Sequence, residues 1–125
     1  MKNIITTLAL LISISAFSQS NQELLSHYQK YYKQMQSQSD IQGVINALTH
    51  LNILSPNQAR KDTLATLYMN EGRHVEALNT IGIEKNEADS DLAVQVKAFS
   101  LKAINDIDQS LIHYEELFKR KPNPF

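Results

Sequence analysis

Apolar residues in this chain recur at helical spacing in six successive stretches, separated by short polar breaks. Leu24, Leu25, Tyr28, Tyr31, Tyr32 and Met35 form the first stripe, on a helix expected from Leu24 to about Ser37. Ile41, Val44, Ile45, Leu48, Leu51 and Leu54 form the second, capped by Ser39 or Asp40 and closed by Ser55-Pro56-Asn57. Leu64, Leu67, Tyr68 and Met69 predict a third helix from about Gln58 to Glu71. Gly72 breaks the pattern, and Val75, Leu78 and Ile81 start a fourth, expected from His74 to Glu84 or beyond. A fifth runs from Asp91 to about Ile104 behind Asp89 or Ser90, with Leu92, Val94, Ala98 and Leu101 as apolar members and Phe99 as a further candidate. The sixth, from Ile107 to about Lys121, should bury Ile107, Leu111, Tyr114, Leu117 and Phe118 and stop at Pro122-Asn123-Pro124. No stretch alternates with period two, so the expected class is all-α.

The six helices are three copies of one unit. A step of 33 links Ile41, His74 and Ile107, then Val44, Ala77 and Ser110, then Ile45, Leu78 and Leu111, then Leu48, Ile81 and Tyr114. The same step links the turn residues Ser39, Gly72 and Asn105. On the first helix of each pair it joins Tyr32 to Ala65 and Ala98, and Met35 to Tyr68 and Leu101. Pro56 and Pro122 lie two steps apart. The repeats therefore run over about 25–57, 58–90 and 91–123, within one helical domain of residues 22–123.

The N-terminus changes what is expected of the mature chain. Lys2 precedes an apolar run from Ile4 to Phe17, and Ala16-Phe17-Ser18 places small residues at the positions a signal peptidase reads. Residues 1–18 are read as a signal peptide cleaved before Gln19. A retained anchor is the alternative, but the run is shorter than the roughly 17 to 25 residues that span a bilayer. The expected destination is the periplasm or the exterior, with no membrane span after cleavage. The chain has no Cys, so neither disulfides nor an acylated N-terminal Cys is available, and helix packing or association must hold the domain. With 12 basic and 13 acidic residues it carries no footprint for nucleic acid. Lys119-Arg120-Lys121 reads as a solvated helix end.

On these residues the chain resembles the tetratricopeptide repeat family, with three repeats. The central unit carries the likeness best: Leu64-Ala65, Tyr68, Gly72, then Ala77 four residues before Ile81. The outer units depart from the pattern at Tyr32, Val44 and Lys97, the last standing where Leu64 stands in the middle copy. The step of 33 is one residue short of the usual length. It equals the ankyrin length, but the Thr-Pro-Leu-His opening of that family is missing. The resemblance implies a right-handed superhelix of stacked hairpins, with Ala65 and Ala77 allowing close helix approach. It also implies a concave surface lined by the first helix of each pair. By register, the groove residues are Gln29, Lys33 and Gln36, then Asp62, Thr66, Met69 and Asn70, then Gln95, Phe99 and Lys102, together with Ser26 and Leu92. The carboxylate clamp of some relatives is not carried over, because Gln29, Thr63, Leu92 and Val96 occupy its places beside Lys33.

Nothing in the sequence spaces a nucleophile beside a base, or His residues as metal ligands. His27, His50, His74 and His113 read as structural, with His27 and His113 expected at the edge of a buried stripe, partly solvated. Gly43, Gly72 and Gly82 lie far apart and form no phosphate loop. Tyr28 and Tyr32 read as core filling before they read as a ligand platform. The expectation is a non-enzymatic, cofactor-free module that binds a segment of a protein or peptide partner. The alternative is a structural subunit that self-associates through its C-terminal helix, where Leu117, Phe118 and Phe125 leave apolar surface.

Overall fold

The computed structural model describes residues 2–121, with side chains from Ser20 onward. Six α-helices follow in order: α1 (Lys2–Ser37), α2 (Ile41–Leu54), α3 (Gln58–Asn70), α4 (His74–Ile81), α5 (Asp91–Ala103) and α6 (Ile107–Arg120). No strand occurs among the described residues, and the class is all-α. No helix among them is long and apolar enough to cross a membrane. Two boundaries differ from expectation. Helix α1 begins at Lys2 and not at Leu24, because no Pro or Gly between Lys2 and Leu24 interrupts it. Helix α4 stops at Ile81, short of Glu84, because Gly82 adopts φ 84° and ψ 177°, a conformation essentially closed to other residues.

The step of 33 is written into the backbone. Ser39, Gly72 and Asn105 all take positive φ, at 55°, 76° and 67°. Each follows a helix in the same bonded turn. Asp40 N–H donates to Met35 O at 3.0 Å, Arg73 N–H to Tyr68 O at 2.8 Å and Asp106 N–H to Leu101 O at 2.9 Å. In each case the left-handed residue itself donates three positions back, which satisfies two carbonyls that a helix end leaves free. The next helix then starts at once. Asp40 and Asp106 cap α2 and α6 by accepting from Gly43 and Gln109, and Asn57 and Ser90, also 33 apart, cap α3 and α5. Arg73, at the middle position, makes no side-chain cap. It lies over the Tyr68 ring at 4.7 Å and donates to Glu76 at 2.7 Å.

The chain divides into two compact units, one ending at Ser55 and one beginning at Pro56. A single domain was expected; the division falls where Pro56 removes a backbone donor and Ser55, at φ −145° and ψ 80°, leaves the helical conformation. In the first unit α1 packs on α2, burying Met35 against Val44, Ile45, Ala47, Leu48 and Leu51 as the apolar set. A Cβ at Gly43 would overlap the Met35 thioether, so α2 approaches α1 closely. In the second unit α3 pairs with α4 and α5 with α6, and α5 also packs on both α3 and α4. At its centre Ala65, Ala77 and Val96 are fully buried, with Tyr68, Met69 and Ile81 packed around them. Leu64, Leu78, Ala93, Val94, Ala98 and Leu101 are buried with them.

Helix α6 buries a different face from the one its apolar stripe suggests. Ser110 and His113 are buried, Tyr114 and Leu117 half-buried, and Ile107, Leu111 and Phe118 exposed. The reason is close approach: Ser110 Oγ donates to Ala98 O at 2.7 Å, which a larger residue at 110 would prevent. Pro122, and the stop expected of it, lies outside the described residues, as do the side chains of the expected signal segment 1–18.

Gly72→Val is expected to lower stability by at least about 1–2 kcal/mol, since a β-branched side chain opposes the left-handed turn. Ala77→Leu should cost about 1–3 kcal/mol by overfilling the Ala65 and Val96 contact. Urea denaturation followed by circular dichroism measures both.

Candidate functional site

Two features of the second unit stand out: the outward face of α3 and α5, and a polar pocket behind the end of α4. Along the first, Asn70, Gln95, Phe99 and Lys102 are exposed and Thr66 is half-buried. Phe99 is 52% exposed, an unusual position for a large aromatic, with the His74 ring 5.7 Å away. Met69 is half-buried on the alanine cluster, so only part of it faces outward. In the first unit Gln29, Lys33 and Gln36 are exposed on α1, and Gln36 donates to Tyr32 Oη at 2.8 Å.

Asp62 departs from its expected place on this face. It is buried, accepting from Gln58 Nε2 at 2.9 Å and from Ser90 Oγ at 2.7 Å. Ser90 in turn accepts from Ala93 N–H as the cap of α5. Asp62 therefore ties α3 to the start of α5 and is not free for a partner. Its alignment with Gln95, exposed one step later, hid this, because register places a residue on a helix but not against a neighbour.

The pocket arises from the shortened α4. Helices α2 and α6 have 14 residues each and α4 has 8, and residues 82–90 follow it as an irregular segment with a turn closed by Asp89 N–H donating to Asn86 O at 3.0 Å. Behind it lies a space of about 470 Å³, lined by Gln58, Ile81, Gly82, Glu84, Asn86 and Lys97 among others. Lys97 is 3% exposed, and its ammonium donates to Glu84 O at 2.9 Å and Asp89 Oδ2 at 2.6 Å. A leucine at this register, like Leu64, would leave both acceptors unpaired. Lys97, whose acceptors lie on the segment after Gly82 in the second copy, explains the departure of the third copy at this register. Sequence reading registered Lys97 as an irregularity, and no signal in it pointed to the carbonyl and carboxylate it meets.

More of α6 holds the same segment. His113, expected to be partly solvated, is 1% exposed, and its Nε2–H donates to Ile83 O at 2.7 Å. That bond requires a proton on Nε2, and the other ring nitrogen, Nδ1, has no hydrogen-bond partner among the described residues. Arg120 Nη1 donates to Asp89 O at 2.6 Å, and its Nε to Glu116 at 2.9 Å. Lys85 pairs with Glu116 at 3.3 Å and Lys121 with Asp91 at 3.2 Å. Two cations of the 119–121 run thus bind the protein's own acceptors, where a solvated helix end was expected. The Arg120 hydrogen bond, aided by Lys85, holds the Glu116 carboxyl below its ordinary range. Lys121 and then Arg120 do the same for Asp91.

His27 and His50 are exposed, with His50 stacked on Tyr28 at 4.4 Å between ring centroids. His74 Nδ1 lies 3.2 Å from Ser100 Oγ. Among the described residues, no three His, Asp or Glu side chains gather in a way that could hold a metal ion. Comparison of the chain with family models, with curated proteins and with solved structures finds no match.

Lys97→Met is expected to cost about 3 kcal/mol, because it leaves the half-buried Asp89 carboxylate and the Glu84 carbonyl without their cation, and Lys97→Met/Asp89→Ala should recover part of that loss. Urea midpoints of the three variants in a double-mutant cycle with the parent test it. For Glu116 and Asp91 the folded pKa lies below the unfolded value, near 4.5 and 3.8. Their contribution is complete above those values and disappears as pH falls through the folded ones. The urea midpoint should therefore drop below about pH 4.5, and less steeply in Arg120→Gln.

Proposed function

We propose that this chain is a non-enzymatic, exported helical-repeat protein of the tetratricopeptide kind. It holds a segment of another envelope or secreted protein on the outward face of the first helix in each pair. The observation that carries this reading is the recurrence of one left-handed, doubly bonded turn at Ser39, Gly72 and Asn105, each joining two helices. Hairpins repeated on a fixed step form a scaffold suited to presenting a surface. Burial of Ala65, Ala77 and Ala98, small residues at close-approach positions, supports the same family reading, in which the hairpins follow a right-handed superhelix.

Exposed residues of α5 and the end of α3 give the surface its chemistry. Phe99 offers an apolar anchor, and Gln95, Asn70 and Lys102 flank it with amides and one cation. An extended or helical segment with one apolar side chain and hydrogen-bonding neighbours fits that set. Cleavage before Gln19 and a location in the periplasm or outside the cell belong to the same proposal, resting on the basic start, apolar run and small residues of the N-terminus.

Intact mass of the protein recovered from the expressing cell is expected to correspond to a chain starting at Gln19. In a pull-down from envelope extract, Phe99→Asp/Lys102→Glu should lose the captured partner by tenfold or more while helicity is unchanged. Retention of every partner by that variant would overturn the groove reading.

A further inference from the structure

Helix α6 presents an apolar stripe that the fold does not use. Ile107, Leu111, Tyr114 and Phe118 follow one another at steps of four, three and four, the spacing of a coiled-coil seam. They lie within a narrow sector of the helix, and Ile107, Leu111 and Phe118 are 44%, 52% and 60% exposed. The repeat makes Leu111 conspicuous. Its equivalents one and two steps earlier, Leu78 and Ile45, are both buried. A contiguous exposed stripe of this kind marks a contact surface.

The stripe is its own complement when reversed. Turning the helix about the point between Ile112 and His113 exchanges Ile107 with Phe118 and Leu111 with Tyr114. An antiparallel second copy of α6 would therefore set a large side chain against each of the four, the same contacts occurring twice. The charges beside the stripe agree. Asp108 and Lys119 lie on the same flank, are exposed, and form no ion pair among the described residues. In an antiparallel pair like flanks meet, so Asp108 of each copy reaches Lys119 of the other. In a parallel pair unlike flanks meet, so Asp108 and Lys119 would lie on opposite sides of the seam from their counterparts and gain no partner in each other, and the two Phe118 rings would crowd.

From this self-complementarity we infer that the chain forms a two-fold symmetric dimer through antiparallel contact of α6 with α6 of a second copy. The contact is confined to one 14-residue helix on each side. It is smaller than a standard stable interface, which places the association at about micromolar strength or weaker. It does not involve Gln95, Phe99 or Lys102 on α5, so its failure would leave the groove reading standing.

Sedimentation of the purified protein between about 5 and 300 µM, a range that brackets this strength, tests the inference. A concentration-dependent dimer is expected. Leu111→Lys/Phe118→Lys should shift it to monomer with an unchanged far-ultraviolet spectrum, because both side chains are already exposed. The chain has no cysteine, so single substitutions also report register. Ile107→Cys mixed with Phe118→Cys should cross-link on oxidation, and neither should cross-link efficiently alone. A monomer at the highest concentration, a dimer indifferent to the two lysines, or cross-linking of Ile107→Cys to itself would each overturn the proposal.

Discussion

Every helical pair in this protein depends on one residue that tolerates a left-handed conformation. At Ser39, Gly72 and Asn105 the chain reverses within three residues, and two backbone bonds close the outgoing helix in the same way each time. Because the turn is so short, the two helices it joins must pack on each other, and small residues set how closely they do so. Ala65 and Ala77 meet at the α3 and α4 contact, and Ser110 takes the equivalent role on α6, where its hydroxyl also binds the Ala98 carbonyl.

The second copy shows what happens when the repeat is interrupted. Gly82 ends α4 after 8 residues, and an irregular segment follows it to the start of α5. Polar side chains hold that segment. Lys97, His113 and Arg120 donate to the carbonyls of Glu84, Ile83 and Asp89, acceptors outside any helix that must find donors on other elements. The Asp89 carboxylate balances the Lys97 charge, so the pocket beside it is a neutral, satisfied region of the protein.

The two proposed surfaces involve different helices of the second unit. The α5 part of the proposed groove carries Phe99, which stays in solvent because the inward positions at Val96, Ala98, Ser100 and Leu101 already fill the core. The proposed dimer contact lies on α6, which turns its polar Ser110 and His113 inward and leaves its apolar stripe outside. Each surface exists because the helix satisfied a packing or hydrogen-bonding demand on its other side first.

The all-α class, all six helices, most of their ends and the step of 33 were legible in the linear chain. These depend on local properties: apolar spacing, caps at Asp40 and Ser90, turn residues at Ser39, Gly72 and Asn105, and Pro56. The buried apolar positions of the central copy, Leu64, Ala65, Ala77 and Leu78, were legible for the same reason. What only the tertiary structure decided concerns polar residues and the direction a helix faces. Asp62 left the groove for Ser90, Lys97 entered the core to meet Glu84 and Asp89, and His113 was drawn inward by a carbonyl 30 residues away. Periodicity assigns a residue to a stripe, but a polar side chain goes where a partner is, and its partners lie on other elements. Helix α6 shows the limit most clearly, since its most apolar stripe is not the one it buries.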